Sequence, residues 1–263
     1  MNFTAHQLSH IGDRKYNQDR VAYAYTDESL LLVLADGMGG HLNGEWAAET
    51  AVATFVEAFG AVANPKISDP QQFLADVMKQ AHRRIMAFPL EPGTSFPGTT
   101  CVAALVQDGK VYWGHAGDSR FYLIRDGRIA ARTLDHSAVG QWLELGIISE
   151  DEARTHPQRN QITNCLGGYD DIFYIEPGKP ENLCDGDVLF LGSDGLWSAF
   201  TDREVCAPFT LAPPEIALES LLRQALKREA GNSDNLTGLA VRWGRTESSH
   251  PAAVPIGCVL EIH

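Results

Sequence analysis

Several features that would point elsewhere are missing from this 263-residue chain. Its cysteines never fall in C-x-x-C spacing. There are five of them (Cys101, Cys165, Cys184, Cys206, Cys258), an odd number that reads as buried or free thiols in a reducing compartment. No stretch approaches the ~20 consecutive apolar residues of a membrane span. Met1 to His6 has neither a charged n-region nor an apolar h-region, so no secretory leader is expected. Basic residues are scarce: 21 Lys and Arg against 34 Asp and Glu leave a net charge of −13, with no basic stripe to neutralise phosphates, which excludes nucleic acid as a partner. Internal repeats, low-complexity linkers and a phosphate-cradling P-loop are absent too. What remains is ordinary globular composition, 44% hydrophobic, enough for one sizeable core. The expectation is a soluble, cytoplasmic, monomeric protein with one domain over residues 1–243 and a Ser/Pro/Gly-punctuated tail over 244–263.

Strand patterns over residues 2–11, 20–26 and 30–35 lead the chain. Residues 44–59 carry Trp46, Ala47, Thr50, Ala51, Thr54, Phe55 and Ala58 at helical spacing, with Gly60 as the expected stop. Residues 69–88 repeat the pattern through Phe73, Val77, Ala81 and Ile85, so two amphipathic helices cover a sheet. From Thr99 to Thr133 short apolar runs alternate with Asp108-Gly109 and Asp126-Gly127, strong hairpin signals, and predict an antiparallel meander. Leu218, Leu221, Leu222, Ala225 and Leu226 mark a helix over 214–229, followed by a closing strand over 236–243.

The informative chemistry is at strand ends. Leu30 to Ala35 is wholly apolar, reads as a strand buried on both faces, and runs into Asp36-Gly37-Met38-Gly39-Gly40-His41. Asp187 to Gly192 repeats the design and runs into Ser193-Asp194-Gly195, while Asp234 precedes the apolar stretch from Leu236. A lone aspartate of this kind is as well explained as a cap or turn. Three carboxylates at strand ends of one core repel each other unless cations bridge them, which is the pattern of a hard-metal site. A glycine after the acid lets a backbone carbonyl approach an ion.

The ordered set Gly12-Asp13-Arg14-x-x-Asn17-Gln18-Asp19, Ala35-Asp36-Gly37-Met38-Gly39-Gly40-His41, Pro97-Gly98-Thr99-Thr100, Ala116-Gly117-Asp118-Ser119-Arg120, Asp135-His136-Ser137, Gly192-Ser193-Asp194-Gly195-Leu196-Trp197 and Ser233-Asp234-Asn235-Leu236-Thr237 resembles a bacterial metal-dependent serine/threonine protein phosphatase of type 2C, over about residues 5–243. The resemblance implies an α+β fold: a four-layer α-β-β-α sandwich, two antiparallel sheets flanked by helices, with the metal site in a cleft at one end. It implies that Asp36 bridges two Mn2+ or Mg2+ ions, that Gly37 lends its carbonyl, and that Asp194 and Asp234 hold the first ion. Hydrolysis of phosphoserine and phosphothreonine would then proceed by a metal-activated water without a phosphoenzyme. No cysteine opens a Cys-x5-Arg nucleophile loop, which agrees.

By the same resemblance Arg14 grips the phosphate, Asp19 hydrogen-bonds metal-bound water, His41 is the general acid, Asp118 helps hold a third, weaker ion, and residues 138–164 form a flap beside the cleft. On their own residues, Arg14 reads equally as a solvated charge and Asp118 as a turn residue. Two departures stand out: Gln18 occupies the place of a glutamate ligand found in many eukaryotic members, and Asn164 that of an arginine frequent in the related Thr-Arg-Ala-Leu-Gly stretch. The partners implied are phosphorylated proteins and a cognate Ser/Thr kinase. Alternatives are a phosphoprotein-binding pseudophosphatase, against which the intact Asp36, Asp194 and Asp234 speak, and a small-phosphoester hydrolase.

Overall fold

The structure is a computed structural model that describes residues 1–38, 42–90, 96–168 and 174–244. Strands β1 (Phe3–His10), β2 (Asp19–Tyr25) and β3 (Ser29–Met38) precede helices α1 (Leu42–Val62) and α2 (Pro70–Met86). Strands β4 (Gly98–Thr99), β5 (Cys101–Gln107), β6 (Lys110–Ala116), β7 (Arg120–Arg125) and β8 (Arg128–Arg132) follow, then short helices α3 (Ala138–Glu144) and α4 (Glu150–Thr155). Three two-residue strands come next: β9 (Leu166–Gly167), β10 (Glu176–Pro177) and β11 (Glu181–Asn182). The chain ends with β12 (Val188–Gly192), α5 (Asp194–Trp197), α6 (Asp202–Leu211), α7 (Pro214–Arg228) and β13 (Leu236–Trp243).

The strands form two antiparallel sheets. One runs β1-β13-β12-β7-β8; the other runs β10-β6-β5-β3-β4-β9, with β2 on β3 and β11 on β6. Period-two alternation sorts the buried residues into layers. Leu31, Val33 and Ala35 of β3 pack with Ala47, Ala51 and Phe55 of α1 and Leu74, Met78 and Ala81 of α2. Leu30, Leu32 and Leu34 face the opposite way and meet Leu189 and Leu191 of β12 and Leu239 and Val241 of β13, forming the core between the sheets. Val188 and Phe190 point outward against Val205 and Phe209 of α6 and Leu218 and Leu221 of α7. The result is the four-layer α-β-β-α sandwich expected from the sequence.

Local chemistry sets the helix starts. Asp69 caps α2, its carboxylate accepting from the Gln72 amide at 3.0 Å ahead of Pro70, and Thr201 with Glu204 forms a capping box on α6. The expected stop at Gly60 does not occur. Helix α1 continues to Val62 because nothing crowds Gly60 and Phe59 still packs in the core.

The expected meander is also revised. Asp108-Gly109 and Asp126-Gly127 do close hairpins, all four residues having positive φ. They join β5 to β6 and β7 to β8, but β6 and β7 do not pair. Between them the Gly117-Asp118-Ser119 link carries the chain from one sheet to the other, with Gly117 at φ +108°. This crossing places Asp118 at the rim where both sheets end.

Candidate metal centre

Strand register gathers the acids at that rim. Asp19 opens β2 directly opposite Asp36 near the end of β3. Alternation along β3 carries Leu30, Leu32 and Leu34 into Asp36, so its carboxylate emerges at the end of the inter-sheet core. In the facing sheet His10 pairs with Leu236, and Gly192 pairs with both Gly238 and Arg120, so the ends of β1 and β12 and the starts of β7 and β13 lie together. Asp194 follows β12 as the first residue of α5, and Asp234 precedes β13.

Hydrogen bonds fix this geometry. The Asp36 carbonyl accepts from the Thr100 amide at 2.8 Å and the Thr99 hydroxyl at 2.9 Å, and its amide donates to Thr100 Oγ1 at 3.1 Å. Thr100 and Ser119 hydroxyls share a 2.7 Å bond. Ser193 joins the two sheets, its hydroxyl donating to Asp19 Oδ2 at 2.8 Å while accepting from the Thr237 amide at 3.0 Å. The Gly37 amide donates to the Gln18 carbonyl at 3.1 Å, and a Cβ on Gly37 would come within 2.2 Å of the Gly44 carbonyl oxygen, so no larger residue fits there.

The loop that presents Arg14 is fastened to the start of β13. Asp13 accepts from the Ser233 amide at 2.9 Å and hydroxyl at 2.8 Å, and Asn235 donates to the carbonyls of Ile11 and Tyr16. A Cβ on Gly12 would sit 1.9 Å from the Asp234 carbonyl oxygen. Arg14 Nη2 donates to Asp234 Oδ2 at 2.7 Å, and its side chain remains 60% exposed. The guanidinium therefore stands at the cluster while keeping a free side for a ligand.

Electrostatics mark the cluster as short of positive charge, the Arg14 guanidinium facing several carboxylates. Burial pushes the Asp19 carboxyl up to about 7, with the charges of Asp194 and Asp234 adding to the effect. Burial also raises Asp36 well above the usual range, helped by Asp19, Asp194, Asp118 and Asp234. Asp118 is raised likewise by burial and by Asp194 and Asp135, and Asp194 is pushed to about 6 by burial and Asp234. Oδ1 of Asp19 and Oδ1 of Asp118 are buried with no hydrogen-bond partner among the described residues. Hard oxygen donors from both sheets, mutually repelling and partly orphaned, fit divalent cations of the Mg2+ or Mn2+ type.

Asp36, Gly37, Asp19, Asp118, Asp194, Asp234 and Arg14 are thus brought to one rim. His41 lies outside the described residues, as does nearly all of the 244–263 tail. Some participants went unassigned at the sequence level. Arg120 grips Asp135 through two 2.7 Å bonds and lies 3.3 Å over the Trp197 ring, and Trp197 Nε1 donates to the Asp118 carbonyl at 3.1 Å. Their signal lay in the short runs Gly117 to Arg120, Asp135 to Ser137 and Gly192 to Trp197, which carry polar residues at strand ends without saying which pair. A cavity of about 520 Å³ opens beside the cluster, lined by Arg14, Asp118, Asp194 and Asp234 and by Arg154 and Arg159 of the 138–164 segment.

Residues 6–228 match the family model described as protein phosphatase 2C. The chain is 30% identical over 234 residues to protein phosphatase PhpP of Streptococcus pneumoniae, covering 88% of this chain and 93% of that protein. It superposes on the serine/threonine phosphatase Stp1 of Staphylococcus aureus with a TM-score of 0.82 at 30% identity, over 93% of this chain and 96% of the other. A third similar structure is the catalytic domain of serine/threonine protein phosphatase PstP in complex with two manganese ions (TM-score 0.76, 27% identity, 91% and 97% coverage).

Proposed function

Because this chain belongs to the protein phosphatase 2C family and is a metal-dependent serine/threonine protein phosphatase, we propose that its rim carboxylates are the metal ligands that make it one. Asp36, which feels the charge of all four other acids, would be the ligand common to two ions. Gly37 adds its carbonyl, and Asp194 and Asp234 complete the first site. Asp118 belongs to a third, weaker site. The hard donor set favours Mn2+ or Mg2+ over softer metals. When bound, such ions make a nucleophile of water at neutral pH and offset the phosphate's charge.

The protein's own groups do the rest. Arg14 offers a planar fork to two phosphate oxygens, and its exposed side faces the cavity. Asp19, held by Ser193, orients the attacking water through its free Oδ1. His41 is the proton donor to the leaving hydroxyl, a role suited to an imidazole at cellular pH. The substrates are phosphoserine and phosphothreonine proteins made by a bacterial Ser/Thr kinase. The enzyme acts as a cytoplasmic monomer; the four described cysteines are free, and no helix among the described residues is long and apolar enough to cross a membrane.

The observation that carries this reading is the convergence of five carboxylates from both sheets on one rim, two of them with orphaned oxygens. Its test is Asp36→Asn. Removing one charge relieves repulsion, so the variant should fold while losing Mn2+-dependent hydrolysis of a phosphothreonine peptide. Substantial turnover by Asp36→Asn at saturating Mn2+ would remove Asp36 from the centre of the site.

A further inference from the structure

His115, His136 and Glu176, none of them one of the rim acids, bring three ligand-type atoms within 4.8 Å of one another. Their hydrogen bonds argue against a metal there. His136 Nδ1 faces two donors, the Gly117 amide at 3.2 Å and Asn164 Nδ2 at 2.8 Å. The orientation of Asn164 is set independently, because the same Nδ2 donates to the Tyr174 carbonyl at 2.8 Å. Nδ1 is therefore an acceptor, and the neutral ring carries its proton on Nε2, donated to Glu176 Oε2 at 3.0 Å. A protonated Nε2 has no lone pair for an ion, so His136 is a hydrogen-bonded relay between Glu176 and Gly117. His115 stacks on its ring with centroids 4.1 Å apart and bonds through Nε2 to the Leu134 carbonyl at 2.6 Å.

The relay ends on the two peptide units that flank one residue. The Gly117 amide donates to the His136 ring, and the Gly117 carbonyl accepts from the His136 amide at 3.1 Å. Gly117 is thus gripped from both sides by a single residue, at the link that carries the chain between sheets. The next residue is Asp118. The 138–164 segment is tied to the same histidine: the Thr163 amide donates to the His136 carbonyl at 2.7 Å, Asn164 holds its ring, and Ser137 bridges to Ile162.

We propose that His136 is a positioning residue that sets the Asp118 carboxylate by clamping Gly117, and that Asn164 makes the weakest ion site responsive to the 138–164 segment. This rests on the assignment of Asp118 to that weak site. The clamp uses only the Nδ1 end of the ring, which gives a discriminating pair of variants. In His136→Asn the amide oxygen replaces the Nδ1 acceptor, whereas in His136→Gln the longer side chain reaches toward the Nε2 end and leaves Gly117 without its partner.

Calorimetric titration of the full chain with Mn2+, alongside the Mn2+ dependence of phosphopeptide turnover, reads the effect. Asp118→Ala should abolish the weakest binding event. His136→Gln should weaken that event at least fivefold and leave the tight sites unchanged, and His136→Asn should recover most of it. If His136→Gln does not fold, Asn164→Ala reads the same relay and should also weaken the third event. Asp118→Ala that still binds the third ion would overturn the Asp118 assignment, and the proposal with it. If Asp118→Ala loses the ion while His136→Gln and Asn164→Ala bind it normally, or if His136→Asn is as impaired as His136→Gln, the clamp alone is wrong.

Discussion

At the residue scale the most telling pair is Arg14 and Asp234, 220 positions apart and 2.7 Å from each other. Each charge-assisted bond to a phosphate is worth about 1.5–3 kcal/mol, so Arg14→Ala should lower kcat/KM on a phosphopeptide tenfold or more with Mn2+ content unchanged. Arg14→Lys should restore only part, because an ammonium cannot reproduce the two-pronged grip. Wild-type kinetics for Arg14→Ala would return this side chain to the solvent. Asp36, Asp194 and Asp234 were legible from sequence because each ends or precedes an apolar strand, where a bare carboxylate needs compensation. Arg14, Asp19 and Asp118 were legible only through family resemblance, since in their own neighbourhoods they look like surface or turn residues. Ser193 was not legible: its bond to Asp19 spans 174 positions, and no local pattern encodes such a contact.

At the scale of elements, the link between β6 and β7 shows what patterning misses. The Asp-Gly turns specified their two hairpins because positive φ at both central residues dictates how the strands return. Nothing in Gly117-Asp118-Ser119 announces that the chain there changes sheets; that choice depends on which layer has room. The structure makes the link sensitive. Gly117 sits at φ +108°, and a Cβ would fall 2.6 Å from Thr100 Cβ. Strain of this kind costs about 1–3 kcal/mol. Gly117→Ala should therefore lower stability by roughly that amount in metal-free thermal or urea unfolding, and should impair turnover more than its stability loss explains, because Asp118 moves with the link. A fully stable, fully active variant would show that the link tolerates a side chain.

At the scale of the molecule, the acid rim joins two sheets that their apolar faces alone would hold together. Its pH dependence follows from the raised carboxyls. Between the ordinary value of 3.8 and about 7, folded Asp19 retains a proton that the unfolded chain has released, and Asp194 does so up to about 6. The folded state then binds more protons than the unfolded one, so metal-free stability from these groups is present at low pH and lost as pH rises through that window. His115 and His136, kept neutral chiefly by burial, the latter near 4, act in the opposite sense. Because metal-free and loaded protein share that histidine effect, the difference between them isolates the rim. The rise in Tm on adding Mn2+ should be larger at pH 7.5 than at pH 5.5, as differential scanning calorimetry can measure, and an equal rise at both would show that the carboxyls are not in competition with the ions. The pairing of β1 with β13 also governs timing. Strand β13 lies between β1 and β12, with Phe3 against Trp243, so among the described strands β1 has no neighbour in its sheet until β13 is made. Arg14 waits beside it for Asp234. A chain emerging from the ribosome can assemble the β3–β5–β6 sheet and its helices early, yet it stays catalytically silent until translation has passed Trp243. Phosphatase activity is thus withheld until β13 has been made and has paired with β1.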